Sequence, residues 1–129
     1  MASLHRILVV GMNPSSYPSP VDGKEKKNHT FDRLHKWFSY AGVNHFSFVN
    51  CTDKVGNVKF SDVDYDTLNV CLNYHTDVFA LGSFASTVLR RLNKTHIKLP
   101  HPSPRNRMFN DPTFEPMIMK QLKEYVESK

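Results

Sequence analysis

A histidine, a serine, an asparagine and two arginines lie within one short stretch, residues 101–107. Pro102 and Pro104 hold its backbone extended and prevent a helix from starting there. The stretch follows an apolar, partly β-branched run from Thr95 to Leu99, so we expect a loop at the carboxyl end of a strand, where open α/β sheets bind their ligands. Cationic side chains beside a hydrogen-bond donor suit a phosphate-bearing partner and an anionic transition state. Taken alone, the stretch also fits a surface loop with turn-forming prolines.

Two further polar groups follow predicted strands. Gly11, Met12 and Asn13 come directly after the apolar run Ile7–Val10, and Asn50 closes a second run from His45 to Val49. If the strands are parallel, both points and the 101–107 loop leave the same edge of the sheet. We therefore expect three polar loops to surround one small ligand.

Strands and helices alternate along the chain, which predicts an α/β fold. Its predicted architecture is a three-layer α/β/α arrangement with a short, mainly parallel four-stranded sheet. Two more strands are predicted at Asp77–Leu81 and Ile97–Leu99. Helices are predicted from a cap at Thr30 to Tyr40, from Val63 to Tyr74, from Phe84 to Leu92 after Gly82, and from Phe114 to Val126. Gly42 is predicted to end the first helix, and the region from Thr52 to Ser61 is predicted to be a loop.

The length of 129 residues fits a single minimal domain over residues 1–129. The net charge of +5 favours an anionic partner such as nucleic acid. The sequence shows neither a signal-peptide core nor an apolar run long enough for a membrane span, so we expect an intracellular monomer, in the cytoplasm or nucleus. Cys51 and Cys71 lack metal-ligand spacing, and we assign them to core packing. We expect neither a metal nor a cofactor.

The segments Gly11-Met12-Asn13-Pro14 and His101-Pro102-Ser103-Pro104-Arg105-Asn106 together resemble the two signature motifs of the uracil-DNA glycosylase superfamily. The nearest branch is that of the single-strand-selective monofunctional uracil-DNA glycosylases. The order agrees as well, with one motif after the first strand, an asparagine after the second strand, and the other motif after the last strand. The resemblance implies a compact enzyme that flips uracil, or a 5-substituted uracil, out of DNA and hydrolyses its N-glycosidic bond.

The resemblance also implies roles for individual residues. Asn13 would position the attacking water, and His101 would donate a hydrogen bond to the base O2 as negative charge develops there. Asn50 would read N3–H and O4 of uracil with its amide, beside Gly11 and Met12.

Further residues are expected to contact the base or the DNA. Phe31 is the candidate for stacking on the extruded base, although a core position in its helix is an equally good interpretation. Arg105 would fill the gap left by the flipped nucleotide. The remaining predicted DNA contacts are Ser15, Lys24, Lys26, Lys27, Ser103, Asn106 and Arg107.

Two alternatives stay open at the level of sequence. One is a DNA- or pyrimidine-binding module of the same fold with little or no catalysis. The other is a hydrolase of free pyrimidine nucleosides or nucleotides, because the lack of DNA-binding insertions in a short chain would weaken the binding of a small substrate less than the binding of DNA.

Overall fold

The computed structural model describes residues 6–14, 29–103 and 106–128, with only the backbone of His29. These residues form four strands and four α-helices. The strands are β1 (Ile7–Gly11), β2 (Ser47–Asn50), β3 (Asp77–Leu81) and β4 (Ile97–Leu99), and the helices are α1 (His29–Tyr40), α2 (Tyr65–Asn73), α3 (Gly82–Arg91) and α4 (Phe114–Glu127). Two short 3-10 turns cover Phe60–Asp62 and Arg107–Asn110.

All four strands are parallel and lie in the order β2-β1-β3-β4. Every residue of β1 and β3, the two interior strands, is buried, as expected for a parallel sheet. The predicted α/β fold with a short four-stranded parallel sheet is therefore confirmed. Because the strands are parallel, the carboxyl ends of β1, β2 and β4 lie at one edge of the sheet.

The predicted boundaries of β3 and β4 agree with the structure, but the other strands and helices differ from the prediction by one or two residues at one or both ends. Strand β1 extends to Gly11 and α4 extends to Glu127, while α2 spans Tyr65–Asn73 rather than Val63–Tyr74 and α3 spans Gly82–Arg91 rather than Phe84–Leu92. Helix α1 begins at His29, so Thr30 lies in its first turn and is not the cap. Strand β2 runs from Ser47 to Asn50, which makes Asn50 its last residue. The segment 52–61, predicted to be a loop, leads into the 3-10 turn Phe60–Asp62.

The described residues divide into two compact units. The first contains residues 6–14 and 46–100, and the second contains residues 29–45, 101–103 and 106–128. In the first unit, alternate residues of β1 and β3 pack against apolar residues of α2 and α3, and this core includes Leu8, Val10, Val78, Ala80, Leu68, Leu72, Ala85, Val88 and Leu89. Cys51 also lies in this core, as expected, and burial raises the pKa of its thiol to about 11.

In the second unit, α1 packs against α4. As predicted, Gly42 ends α1: its φ of 84° lies in the left-handed region, and the N–H of Val43 donates to the carbonyl of Phe38 at 2.8 Å. Trp37 and Phe38 are completely buried. The loop that begins at His101 belongs to the same unit.

Within the described ranges, none of the helices combines the length and apolar character that crossing a membrane requires.

Candidate functional site

In the first unit, the carboxyl ends of β1 and β2 bring Gly11 beside Asn50. The two residues are partners in the sheet, and the N–H of Cys51 donates to the carbonyl of Gly11 at 2.8 Å. A Cβ on Gly11 would lie 2.7 Å from Cζ of Phe48 and 2.8 Å from Oδ1 of Asn50. The missing side chain at Gly11 therefore allows the Phe48 ring and the Asn50 amide to lie directly against the strand.

A cavity of about 280 Å³ opens beside this strand end. Its lining consists of Phe48, Val49, Asn50, Thr52, Asp53, Asp64 and Thr67. Pockets for drug-sized ligands begin at about 300 Å³, so this cavity suits a single base or sugar better than a whole nucleotide.

Two carboxylates give the cavity a negative character. The carboxylate of Asp64 accepts a hydrogen bond from the hydroxyl of Thr67 at 2.7 Å and another from the backbone N–H of Thr67 at 3.1 Å. Both hydrogen bonds lower the pKa of Asp64, the one from the hydroxyl more strongly. Asp64 is therefore ionised at neutral pH, and Asp53 lines the same space. This arrangement disfavours a phosphate or another anion in the cavity.

Asn13 ties its own turn to the loop after β2. Its Nδ2 donates to the carbonyls of Lys54 and Gly56, at 3.1 and 3.0 Å. Both amide hydrogens are thereby used, which leaves the carbonyl oxygen Oδ1 as the group able to accept a hydrogen bond from water. Met12, the residue before it, is half-buried.

In the second unit, His101 is held in one tautomer. The backbone N–H of Ser103 donates to its Nδ1 at 3.1 Å, so the ring proton is carried by Nε2. Burial of the imidazole lowers the pKa of His101 below its ordinary value of 6.5, although the residue as a whole is exposed. At neutral pH the ring is therefore an uncharged Nε2–H donor.

The loop around His101 closes on itself through Asn106. Its Nδ2 donates to the carbonyl of His101 at 3.0 Å, and its Oδ1 accepts from the N–H of Met108 at 3.1 Å. The N–H of Asn106 also donates to the carbonyl of Ser103 at 3.0 Å. Asn106, which the sequence assigns to DNA contact, thus has a structural role within the loop.

Arg33 of α1 supports the same loop. Its Nη1 donates to the carbonyl of Pro102 at 3.2 Å, and its Nε pairs with Glu115 Oε2 at 2.7 Å. Burial alone would raise the pKa of Glu115, but the hydrogen bond from Lys36 and the charges of Arg33 and Lys36 outweigh it and lower that pKa. The pair is therefore charged at neutral pH.

The remaining predicted contacts lie in the first turn of α1, in the second 3-10 turn or outside the described residues. Phe31 lies in the first turn of α1 and is half-buried, while Arg107 is exposed at the start of the second 3-10 turn. Five predicted DNA contacts lie outside the described residues: Ser15, Lys24, Lys26, Lys27 and Arg105.

The structure thus groups the predicted residues by unit. Gly11, Met12, Asn13 and Asn50 belong to the first unit, and Phe31, His101, Ser103, Asn106 and Arg107 belong to the second. The convergence of both groups on one ligand stays a prediction. Among the described residues, no group of three or more His, Cys, Asp or Glu side chains is placed to hold a metal ion.

Two residues of interest were not identified from the sequence. Phe48 shares a face of β2 with Asn50, and the two-residue alternation of a strand was a usable signal for this relationship. Arg33 contacts the backbone of a residue 69 positions away, and no local pattern indicates such a contact.

Comparisons of the chain with protein-family models, with curated proteins and with solved structures find no match in any of the three. Its function therefore has to be inferred from its own residues and their geometry.

Proposed function

We propose that this chain is a monofunctional DNA glycosylase that hydrolyses the N-glycosidic bond of uracil, or of a 5-substituted uracil, in DNA. His101 donates a hydrogen bond to the departing base, Asn13 orients the attacking water, and Asn50 reads the edge of the base. The reaction requires neither a metal nor a cofactor, because stabilising the base anion and holding a water are sufficient.

The state of His101 is the observation that carries the proposal. Glycosidic cleavage leaves negative charge on the base, and a fixed donor at that charge is worth about 10²–10³ in rate. A neutral imidazole with its proton on Nε2 supplies such a donor, and the contact between Ser103 N–H and Nδ1 favours that tautomer. The lowered pKa keeps the ring uncharged at neutral pH.

The surroundings of Asn50 support a role in recognising the base. A primary amide offers one acceptor and one donor side by side, which complement N3–H and O4 of uracil. Asn50 lines the cavity of about 280 Å³, together with the aromatic ring of Phe48 and the carboxylates of Asp53 and Asp64. The size of the cavity suits a single base better than a whole nucleotide.

The geometry of Asn13 suits the water-positioning role. Its two amide hydrogens are committed to the carbonyls of Lys54 and Gly56. The side chain therefore has a fixed direction, and its carbonyl oxygen can accept from a water without rotating. An amide is a weak base, so we expect modest turnover.

We assign the DNA contacts to the basic residues, supported by the net charge of +5. Arg107 and Met108 are exposed in the turn that follows the His101 loop. Phosphate contacts by Arg107, Arg105 and the lysines at 24, 26 and 27 belong to the same proposal. If they form, affinity for oligonucleotides will fall steeply as salt increases.

A binding module without catalysis is the second candidate, and one observation favours it. The Asn13 amide joins two segments of the first unit, through Lys54 and Gly56, and this structural role alone accounts for its presence. Such a module would bind uracil-containing DNA through Asn50 and leave the glycosidic bond intact.

One experiment separates these candidates from hydrolysis of free nucleotides. The chain is incubated with single- and double-stranded oligonucleotides that contain one uracil, and separately with dUMP and deoxyuridine. We expect free uracil and an alkali-labile abasic site from the oligonucleotide, with no strand break before alkali. Binding of the oligonucleotide without release of uracil would support the module, and release only from dUMP or deoxyuridine would support the nucleotide hydrolase.

A further inference from the structure

We propose that Arg33 is the positioning residue for His101: it fixes the peptide plane that selects the histidine tautomer. The catalytic consequence of this inference rests on the proposed function, whereas its structural part does not. All the contacts that carry it lie within the second unit.

The peptide bond between Pro102 and Ser103 is held at both of its polar atoms. Its carbonyl oxygen accepts from Nη1 of Arg33 at 3.2 Å, and its N–H donates to Nδ1 of His101 at 3.1 Å. A peptide unit is planar, so the orientation of its C=O also determines the orientation of its N–H. Arg33 therefore acts on the histidine ring through a single rigid group.

The guanidinium of Arg33 is itself held in place. Glu115 of α4 pairs with its Nε at 2.7 Å, and the Phe109 ring lies beneath it, with the guanidinium carbon 3.9 Å from the ring centroid. A planar guanidinium can bind a carboxylate, stack on an aromatic ring and donate to a carbonyl at the same time. A lysine cannot reproduce these three contacts with one ammonium group.

The two residues before Ser103 leave little freedom to compensate for the loss of Arg33. Pro102 is fully buried, and the proline ring restricts its φ. Asn106 holds the carbonyl of His101 at 3.0 Å, which fixes the peptide on the other side of Pro102. Without Arg33, the Pro102–Ser103 peptide loses the hydrogen bond that holds its carbonyl, and the imidazole loses its selected tautomer.

The test measures the tautomer of His101 directly, by two-bond ¹H–¹⁵N correlation spectra of the full chain labelled at its 7 histidines. The His101 signals are identified by their absence from His101→Gln. The variants are Arg33→Met, Arg33→Lys and the matched control Lys36→Met. Lys36 pairs with the same Glu115 carboxylate, at 2.5 Å, and the structure gives it no bond to the Pro102 carbonyl.

We expect the wild type and Lys36→Met to show only the Nε2–H form. Arg33→Met should populate both tautomers, and Arg33→Lys should lie between Arg33→Met and the wild type. In single-turnover release of uracil, Arg33→Met should be about tenfold slower than Lys36→Met, the effect of losing one hydrogen bond to a charged group.

A wild-type tautomer in both Arg33 variants would overturn the inference. If circular dichroism shows that Arg33→Met is unfolded, Arg33→Lys decides in the same way, since a purely Nε2–H ring there contradicts the proposal. Failure of the proposed function is distinguishable: a wild type that releases no base leaves the spectra interpretable, and they still decide whether Arg33 selects the tautomer.

Discussion

The backbone N–H of Ser103 points at the Nδ1 atom of His101, 3.1 Å away. This single contact determines the tautomer of the neutral histidine, because a nitrogen that accepts a hydrogen bond cannot also carry the ring proton. The proton is then on Nε2, the atom that our proposal places against the departing base. The backbone of residue 103 supplies this selection.

Replacing Ser103 tests the role of that N–H. Ser103→Pro removes the donor, whereas the matched variant Ser103→Ala keeps it. In Ser103→Pro the ring carbon Cδ takes the place of the amide hydrogen and crowds Nδ1, so this variant both removes the donor and displaces the imidazole. Since the lost hydrogen bond alone is worth about 0.5–1.5 kcal/mol, we expect Ser103→Pro to release uracil at least two- to tenfold more slowly than Ser103→Ala in single-turnover assays. Equal rates in two folded variants would show that the N–H does not control the ring.

The lowered pKa of His101 predicts how stability depends on pH. The unfolded chain binds a proton at this residue near pH 6.5, while the folded chain binds it only at a lower pH. The contribution to the free energy of unfolding is thus fully present above pH 6.5 and is lost as pH falls through the folded pKa. Urea unfolding at about pH 8 and about pH 5 measures this loss.

His101→Gln provides the control, because glutamine does not titrate. The other histidines contribute equally in both proteins, so the wild type should lose more stability on acidification than His101→Gln. An equal or smaller loss in the wild type would mean that the imidazole is not desolvated in the folded chain.

Gly11→Ala is expected to act through Asn50. A methyl group at position 11 meets Phe48 Cζ at 2.7 Å and Asn50 Oδ1 at 2.8 Å, so both side chains must move. We expect release of uracil to slow by about tenfold, the effect of one misplaced hydrogen-bonding group. A double-mutant cycle with Asn50→Ala separates the mechanisms: in the Asn50→Ala background, Gly11→Ala should have little further effect. If the losses in rate from the two substitutions are additive, Gly11→Ala acts through residues other than Asn50.

Asn13 should be important for stability as well as for rate. Asn13→Ala loses the two bonds to the carbonyls of Lys54 and Gly56, both in an exposed region, and we expect a cost of about 1 kcal/mol in the free energy of unfolding. Asn13→Asp should cost more, because a carboxylate would face these carbonyls. Urea unfolding measures the free energies of unfolding of the wild type, Asn13→Ala and Asn13→Asp. Hydrogen exchange of the backbone amides in residues 52–58 should be faster in both variants than in the wild type. Unchanged exchange there would contradict the contact.

The sequence predicts most of the framework because the framework depends on local patterns. Buried parallel strands are short apolar runs, and β3 was predicted correctly from such a run. Gly42 was predicted correctly as the end of α1, because glycine readily adopts the left-handed conformation that ends many helices. The start of α1 was wrong by two residues, because a cap at Thr30 would make residue 31 the first of the helix, whereas the helix begins at His29. A threonine can lie inside the first turn as well as at the cap, and helix ends fray.

The site was less predictable, since it depends on contacts between distant segments. Asn13 was assigned to water, but its amide also binds carbonyls 41 and 43 residues away. The contact of Arg33 with Pro102 joins a helix to a loop in the same way. Residue type and spacing indicate which side chains could bind a ligand or take part in catalysis. The tertiary contacts determine which hydrogen-bonding atoms of those side chains remain available for that role.

The most direct test of the account is the single-turnover release of free uracil from a uracil-containing oligonucleotide, by wild type, His101→Ala and Lys36→Met. We predict that the wild type and Lys36→Met release uracil at similar rates, and that His101→Ala is slower by ~10²–10³ while it still binds the oligonucleotide. A folded His101→Ala that releases uracil as fast as the wild type, or a wild type that binds the oligonucleotide and releases none, would contradict it.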